Sequence, residues 1–190
     1  MQSRWTSFGY VLVFILLIAC TGYYFVGFAG ILFSVCFIGG LIFWLLTTFK
    51  NPVNPYKFIL PYLVTIIFFI IHAYEEYAIH VETTLSKMSG LEVSQNNFLI
   101  IAAFTAPIVW LLGAALVLKR FAFGYFLCST FLFGMMIAEL SHFISPLMET
   151  GPYYSPGMYT AILPVASSWY TFYIIRKEIK VMQQDPSINN

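Results

Sequence analysis

The sequence predicts an all-α, polytopic membrane protein: one domain, residues 1–190, with about six transmembrane helices. Three observations carry this. Hydrophobic residues fill 60% of the chain and charged residues only 9%, against about 25% charged in a soluble domain. Mean hydropathy is +0.83. Apolar runs long enough to cross a bilayer core recur along the chain, separated by short polar turns. Spans of that length leave no room for a separate soluble domain. The net charge of +1 says nothing about nucleic acid, but the sequence has no basic patch to bind a phosphate backbone, so no nucleic-acid partner is expected. Membrane lipid is the expected surrounding.

The first run, 8–26, contains Leu17-Ile18-Ala19-Cys20, which resembles a lipoprotein cleavage box. The chain stays apolar after Cys20, so a retained helix is expected. The second run is 28–49, with Gly27, Gly30, Gly39 and Gly40 to let helices approach closely. A turn with prolines at 52 and 55 follows. The third run is 58–79, with Pro61 expected in its first turn. Residues 80–97 form the longest polar loop, with room for a short interfacial helix. The fourth run is 98–118, where Pro107 predicts a kink. The fifth is 121–143 and the sixth 158–175, followed by a polar tail expected to be disordered at its end. Cys20, Cys36 and Cys128 lie in apolar runs without ligand spacing and are read as small core hydrophobes. The aromatics are expected mostly to face lipid or to form interfacial belts.

With six spans, one side of the membrane holds the N-terminus, the 50–57 turn, the 119–120 turn and the C-terminal tail. These carry Arg4, Lys50, Lys57, Lys119, Arg120, Arg176, Lys177 and Lys180; only Lys87 lies on the other side. Basic residues stay cytoplasmic, which predicts both termini in the cytoplasm, with the plasma membrane the expected location.

Against this background His72-Ala-Tyr-Glu75-Glu76-Tyr-Ala-Ile-His80 stands out. Ionisable groups at membrane depth are costly and mark functional sites. Glu76 follows Lys57 by nineteen residues and Glu139 follows Arg120 by nineteen. At about 1.5 Å per residue both stand about 28 Å from the cytoplasmic anchors, near the outer face. At 100° per residue, His72, Glu75, Glu76 and His80 share a sector of roughly 140°. Glu139 and His142, three apart, share a face of the fifth helix.

Imidazole with carboxylate is the donor set of zinc or iron, and a cation offsets the repulsion between gathered carboxylates. His72, Glu76, Glu139 and His142 are the expected metal ligands, with zinc or iron as the divalent ion. Glu75 is the expected general base on a metal-activated water. Tyr153 or Tyr154 is expected to cap the site from the Tyr154-Ser-Pro-Gly157 turn, donating a hydrogen bond to ligand or substrate; Tyr154 is taken as the catalytic one. His80 is the member expected to be merely interfacial. These assignments predict a metal-dependent intramembrane hydrolase acting on a membrane-embedded or lipophilic substrate. Two other functions use the same residues: a carrier or sensor for protons or a divalent cation, and a redox protein with haem or a di-iron centre. Below His72 the third helix offers only Thr65 and Tyr62 as polar groups, which favours a one-sided site over a carrier.

The His72-x-x-Glu75-Glu76 pattern, with the later His142 and Tyr154-x-Pro156-Gly157, resembles the HXXEE-motif family of membrane proteins. That family is distantly similar to the CAAX amino-terminal protease family, which shares a Glu-Glu pair followed by histidines on later helices. The resemblance implies peptidase-like chemistry. This chain has His80 where the protease pattern has arginine, Ala138 where it has phenylalanine, and no histidine after His142.

Overall fold

The computed structural model describes residues 4–26, 28–147 and 153–184. Among them are seven helices and no strand. In chain order these are α1 (Arg4–Val26), α2 (Phe28–Leu46), α3 (Pro55–Ala78) and α4 (Val81–Ser89). They continue with α5 (Gln95–Leu118), α6 (Ala122–Leu147) and α7 (Met158–Gln184). Four helices are long and apolar enough to cross a membrane: Trp5–Tyr24 within α1, then α3, α5 and α6. Within α2, Ser34–Leu46 is a shorter apolar helix. Leu16, Ile67, Tyr74 and Leu112 project outward on these helices. Apolar surface on that scale suits lipid rather than water. The protein is an all-α membrane protein.

Helix α6 is the hub and packs on α1, α2, α5 and α7. Gly39 and Gly40 of α2 admit it closely: a Cβ at Gly40 would run into the Thr130 backbone. Small residues allow such approach where no hydrophobic force drives helices together. Several aromatics expected to face lipid fill the interior instead. Trp44, Phe58, Tyr62, Phe126 and Phe131 are fully buried. Tyr62–Phe131 and Trp44–Phe126 pack edge to face at 5.5 and 5.8 Å. Their bulk supplies the dispersion contact that holds helices together in lipid.

One end of the bundle gathers the segments that the basic residues mark. Trp5 stacks edge-on with Phe49 at 5.8 Å. The Tyr125 hydroxyl donates to the Val53 carbonyl at 2.7 Å. Lys57 Nζ meets Glu178 Oε2 at 2.8 Å. The starts of α1, α3 and α6 and the last turns of α7 are therefore neighbours, the arrangement expected for segments on one side of a membrane.

Several boundaries differ from the expected runs. Helix α3 starts at Pro55, because Asn54 accepts from the Tyr56 N–H at 3.1 Å and Pro55 takes the first helical position. Pro61 thus lies inside the helix rather than in its first turn. The short helix expected in the polar loop is α4. In α5, Pro107 is accommodated by a π-helical stretch, Leu99–Thr105, ahead of it. Widening the turn is one way to absorb a proline's missing donor and ring. The loop segment 148–152 and the tail from 185, where disorder was expected, lie outside the described residues.

Candidate metal centre

The site stands at the end of the bundle away from the basic turns. Its residues come from the last turns of α3, the irregular end of α6 and the turn entering α7. Helix α6 is α-helical to Ile137, tightens to 3-10 over Ala138–Leu140, and regains an α turn at Ser141–Ile144. A 3-10 turn changes the angle between successive side chains. Here Glu139 and His142 both face α3.

Four side chains meet there. His72 Nε2 lies 2.8 Å from Glu139 Oε2 and 3.8 Å from Glu76 Oε1. His142 Nε2 lies 3.3 Å from Glu139 Oε2 and 3.5 Å from Glu76 Oε1. The two imidazole rings stand nearly perpendicular, with centroids 4.8 Å apart. One ligand atom each from His72, Glu76 and His142 falls within 4.8 Å of the others. His72 is 1% exposed, while Glu139, His142 and Glu76 are 12, 13 and 15% exposed. The cluster is therefore closed behind His72 and reachable past the other three.

The donor set fits a small cation. Four ligand atoms at about 2.0–2.2 Å from an ion in tetrahedral array stand about 3.3–3.6 Å apart. Among His72, Glu76 and His142 the nitrogen–oxygen separations are 3.5 and 3.8 Å, at and just beyond that span, and Glu139 Oε2 lies closer still, at 2.8 and 3.3 Å. His72 Nε2 is consistent with this: it is buried with no hydrogen bond in good geometry, and the Glu139 oxygen 2.8 Å away calls for positive charge beside it, a proton or a metal ion. A buried polar atom without a partner calls for one. A His, Glu, His group that could hold a metal ion is thus present, with Glu139 against both imidazoles.

Glu75 belongs elsewhere. Its Oε2 accepts from the Thr160 N–H at 2.8 Å and the Thr160 hydroxyl at 2.5 Å. Its Oε1 accepts from the Tyr159 N–H at 3.3 Å and the Tyr154 hydroxyl at 3.5 Å. The carboxylate thus caps the start of α7, where free N–H groups and the helix dipole favour negative charge. Tyr154 reaches Glu75 rather than the cluster. Partial withdrawal from water and the adjoining Glu75 carboxylate raise its pKa above the usual tyrosine range, so the phenol stays a donor. Tyr153 donates to the Phe143 carbonyl at 2.9 Å.

His80 lies apart from the cluster. The helix ends at Ala78, and His80 takes a left-handed conformation at φ 62°. The helical angle that would place it beside His72 does not extend that far. Its Nδ1 meets Glu82 Oε1 at 3.0 Å.

Two contributors were not assigned from sequence. Thr160 Oγ1 lies 3.2 Å from His72 Nδ1 and joins that ring to Glu75. Gly157, legible only as part of a tight turn, lies against the cluster at φ 84°. A Cβ there would stand 2.6 Å from His72 Cε1, 2.9 Å from Glu76 Cγ and 3.0 Å from His142 Cε1. No family model, curated protein or solved structure matches this chain.

Proposed function

We propose that the chain is a six-span integral membrane protein of the HXXEE type that binds one divalent ion, zinc or iron. His72, Glu76 and His142 are its core ligands. The proposed activity is hydrolysis of a membrane-embedded or lipophilic substrate. The observation that carries the metal site is the convergence of three ligand atoms within 4.8 Å, from side chains on two helices. Two imidazoles with one carboxylate is a donor set used by hydrolytic zinc sites. The ion would supply a polarising charge and a water made acidic enough to attack at neutral pH.

The residues divide the remaining work. Glu139 borders both imidazoles and is the carboxylate nearest the ligand atoms beyond Glu76. We assign it the proton-accepting role, since Glu75 is already engaged by four donors. Gly157 lets the backbone entering α7 pack directly against the cluster, where a Cβ would press on His72, Glu76 and His142. In the proposed topology both termini are cytoplasmic, in the plasma membrane, and the site lies near the outer face.

A carrier fits less well. Thr65 and Thr171 meet at 3.5 Å between α3 and α7, a buried hydroxyl pair below the site. The hydroxyls of Thr65, Ser168 and Thr171 donate to carbonyls of their own helices. They are spent on local bonds rather than linked into a path.

The test uses protein purified in mild detergent and reconstituted into liposomes with a panel of fluorogenic amide and ester lipids. Hydrolysis that falls at least tenfold in Glu139→Gln, with metal retained, supports the assignment. Metal-loaded wild type inactive on the whole panel counts against a hydrolase. Loss of metal in Glu139→Gln would make Glu139 a ligand instead.

A further inference from the structure

We infer that Thr160 and Glu75 are positioning residues that fix the tautomer of His72 and turn its Nε2 lone pair toward the ion. The inference rests on the metal reading above and adds a role for two residues outside the cluster.

The direction of each hydrogen bond follows from what each group can give. The Glu75 carboxylate only accepts. Its 2.5 Å contact with Thr160 Oγ1 is a short, charge-assisted bond, and it consumes the single hydroxyl proton. Thr160 Oγ1 therefore faces His72 Nδ1, 3.2 Å away, as an acceptor. The proton must be on Nδ1. In a neutral imidazole the other nitrogen then carries the lone pair. That nitrogen is Nε2, the buried atom without a hydrogen bond that faces Glu139 and Glu76.

The relay is rigid at its far end. The Thr160 N–H donates to the same Glu75 oxygen as its hydroxyl, and the Tyr159 N–H holds the other oxygen. Two backbone groups of α7 thus fix the carboxylate, which fixes the hydroxyl, which fixes the ring. This is a carboxylate–histidine arrangement with a threonine hydroxyl interposed. Such outer partners orient metal-binding histidines, and their loss weakens binding by about 10–100-fold. The relay also explains why two glutamates stand side by side: Glu76 faces the cluster, and Glu75 serves the ring from behind.

The experiment compares wild type, Thr160→Val, Thr160→Ser and Glu75→Gln in mild detergent. Zinc dissociation constants are measured by competition with a chromophoric chelator, and histidine tautomers by ¹⁵N NMR on zinc-free protein. Thr160→Val keeps the shape and removes the acceptor, so zinc should bind about 10–100-fold more weakly. Thr160→Ser should restore binding, and Glu75→Gln should fall between. Wild-type His72 should show a protonated Nδ1, and Thr160→Val a ring whose Nδ1 is protonated in only part of the population. A lost packing contact alone would leave the tautomer unchanged. Zinc-loaded wild type beside an equally tight Thr160→Val overturns the relay alone, as does an unprotonated Nδ1 in wild type. Wild type that binds no zinc overturns the metal reading and the relay's purpose with it.

Discussion

His72 Nε2 stands 2.8 Å from Glu139 Oε2 without a hydrogen bond, although the nitrogen is buried. The two residues come from α3 and α6, at the end of the bundle away from the basic turns. A ring nitrogen that close to a carboxylate oxygen calls for positive charge between them, a proton on Nε2 or a metal ion near both. Across the cluster the second imidazole, His142, stands 3.5 Å from the second carboxylate, Glu76. The predictions below follow from it.

Gly157→Ala should damage the site. The added Cβ would press on His72, Glu76 and His142 together, at a φ that L-residues disfavour by about 1–2 kcal/mol. We expect zinc affinity at least tenfold weaker and a lower melting temperature for metal-free protein in detergent. Wild-type zinc affinity in this variant would show that the turn does not bear on the ligands.

Tyr153→Phe should leave the site intact. The lost bond is the one to the Phe143 carbonyl, worth about 0.5–1 kcal/mol net at a half-exposed position. Thermal stability should drop by that amount, with zinc content unchanged. A loss of zinc would place Tyr153 nearer the chemistry than its hydrogen bond indicates.

His80 separates sequence proximity from site membership. Glu82 is buried, its Oε2 lacks a partner, and its Oε1 is met by His80. His80→Leu should therefore destabilise by about 1–3 kcal/mol, the cost of a buried polar group left unmatched. His80→Asn, which tolerates the left-handed backbone, should be milder. Zinc content should match wild type in both; a fall in either variant would bring His80 into the ligand set.

Much of this was legible before any coordinates. The apolar runs gave the helices, and the spacing of Glu76 from Lys57 and of Glu139 from Arg120 gave the shared depth. The i, i+3 relation of Glu139 and His142 gave the second half of the cluster. The misses have physical reasons. The 100° rule put Glu75 and His80 in one sector with His72; His80 was already expected to be merely interfacial, and a helix that stops at Ala78 does not carry the angle to it. Glu75 sits on the flank that meets α7, and a carboxylate's partner on another helix leaves no trace in its own spacing. Thr160 is one hydroxyl among several in α7. The 3-10 turn at Ala138–Leu140 has neither proline nor glycine to announce it.

The central claim is tested most directly by elemental analysis of purified wild type beside Glu76→Ala and His142→Ala. All three should be shown to be folded by circular dichroism and size exclusion in mild detergent. The account predicts about one zinc or iron ion per chain in wild type, as expected for a site of three or four ligands. It predicts loss of most of that metal in both variants. Metal-free wild type after zinc and iron supplementation, or variants that keep their full complement, would contradict it.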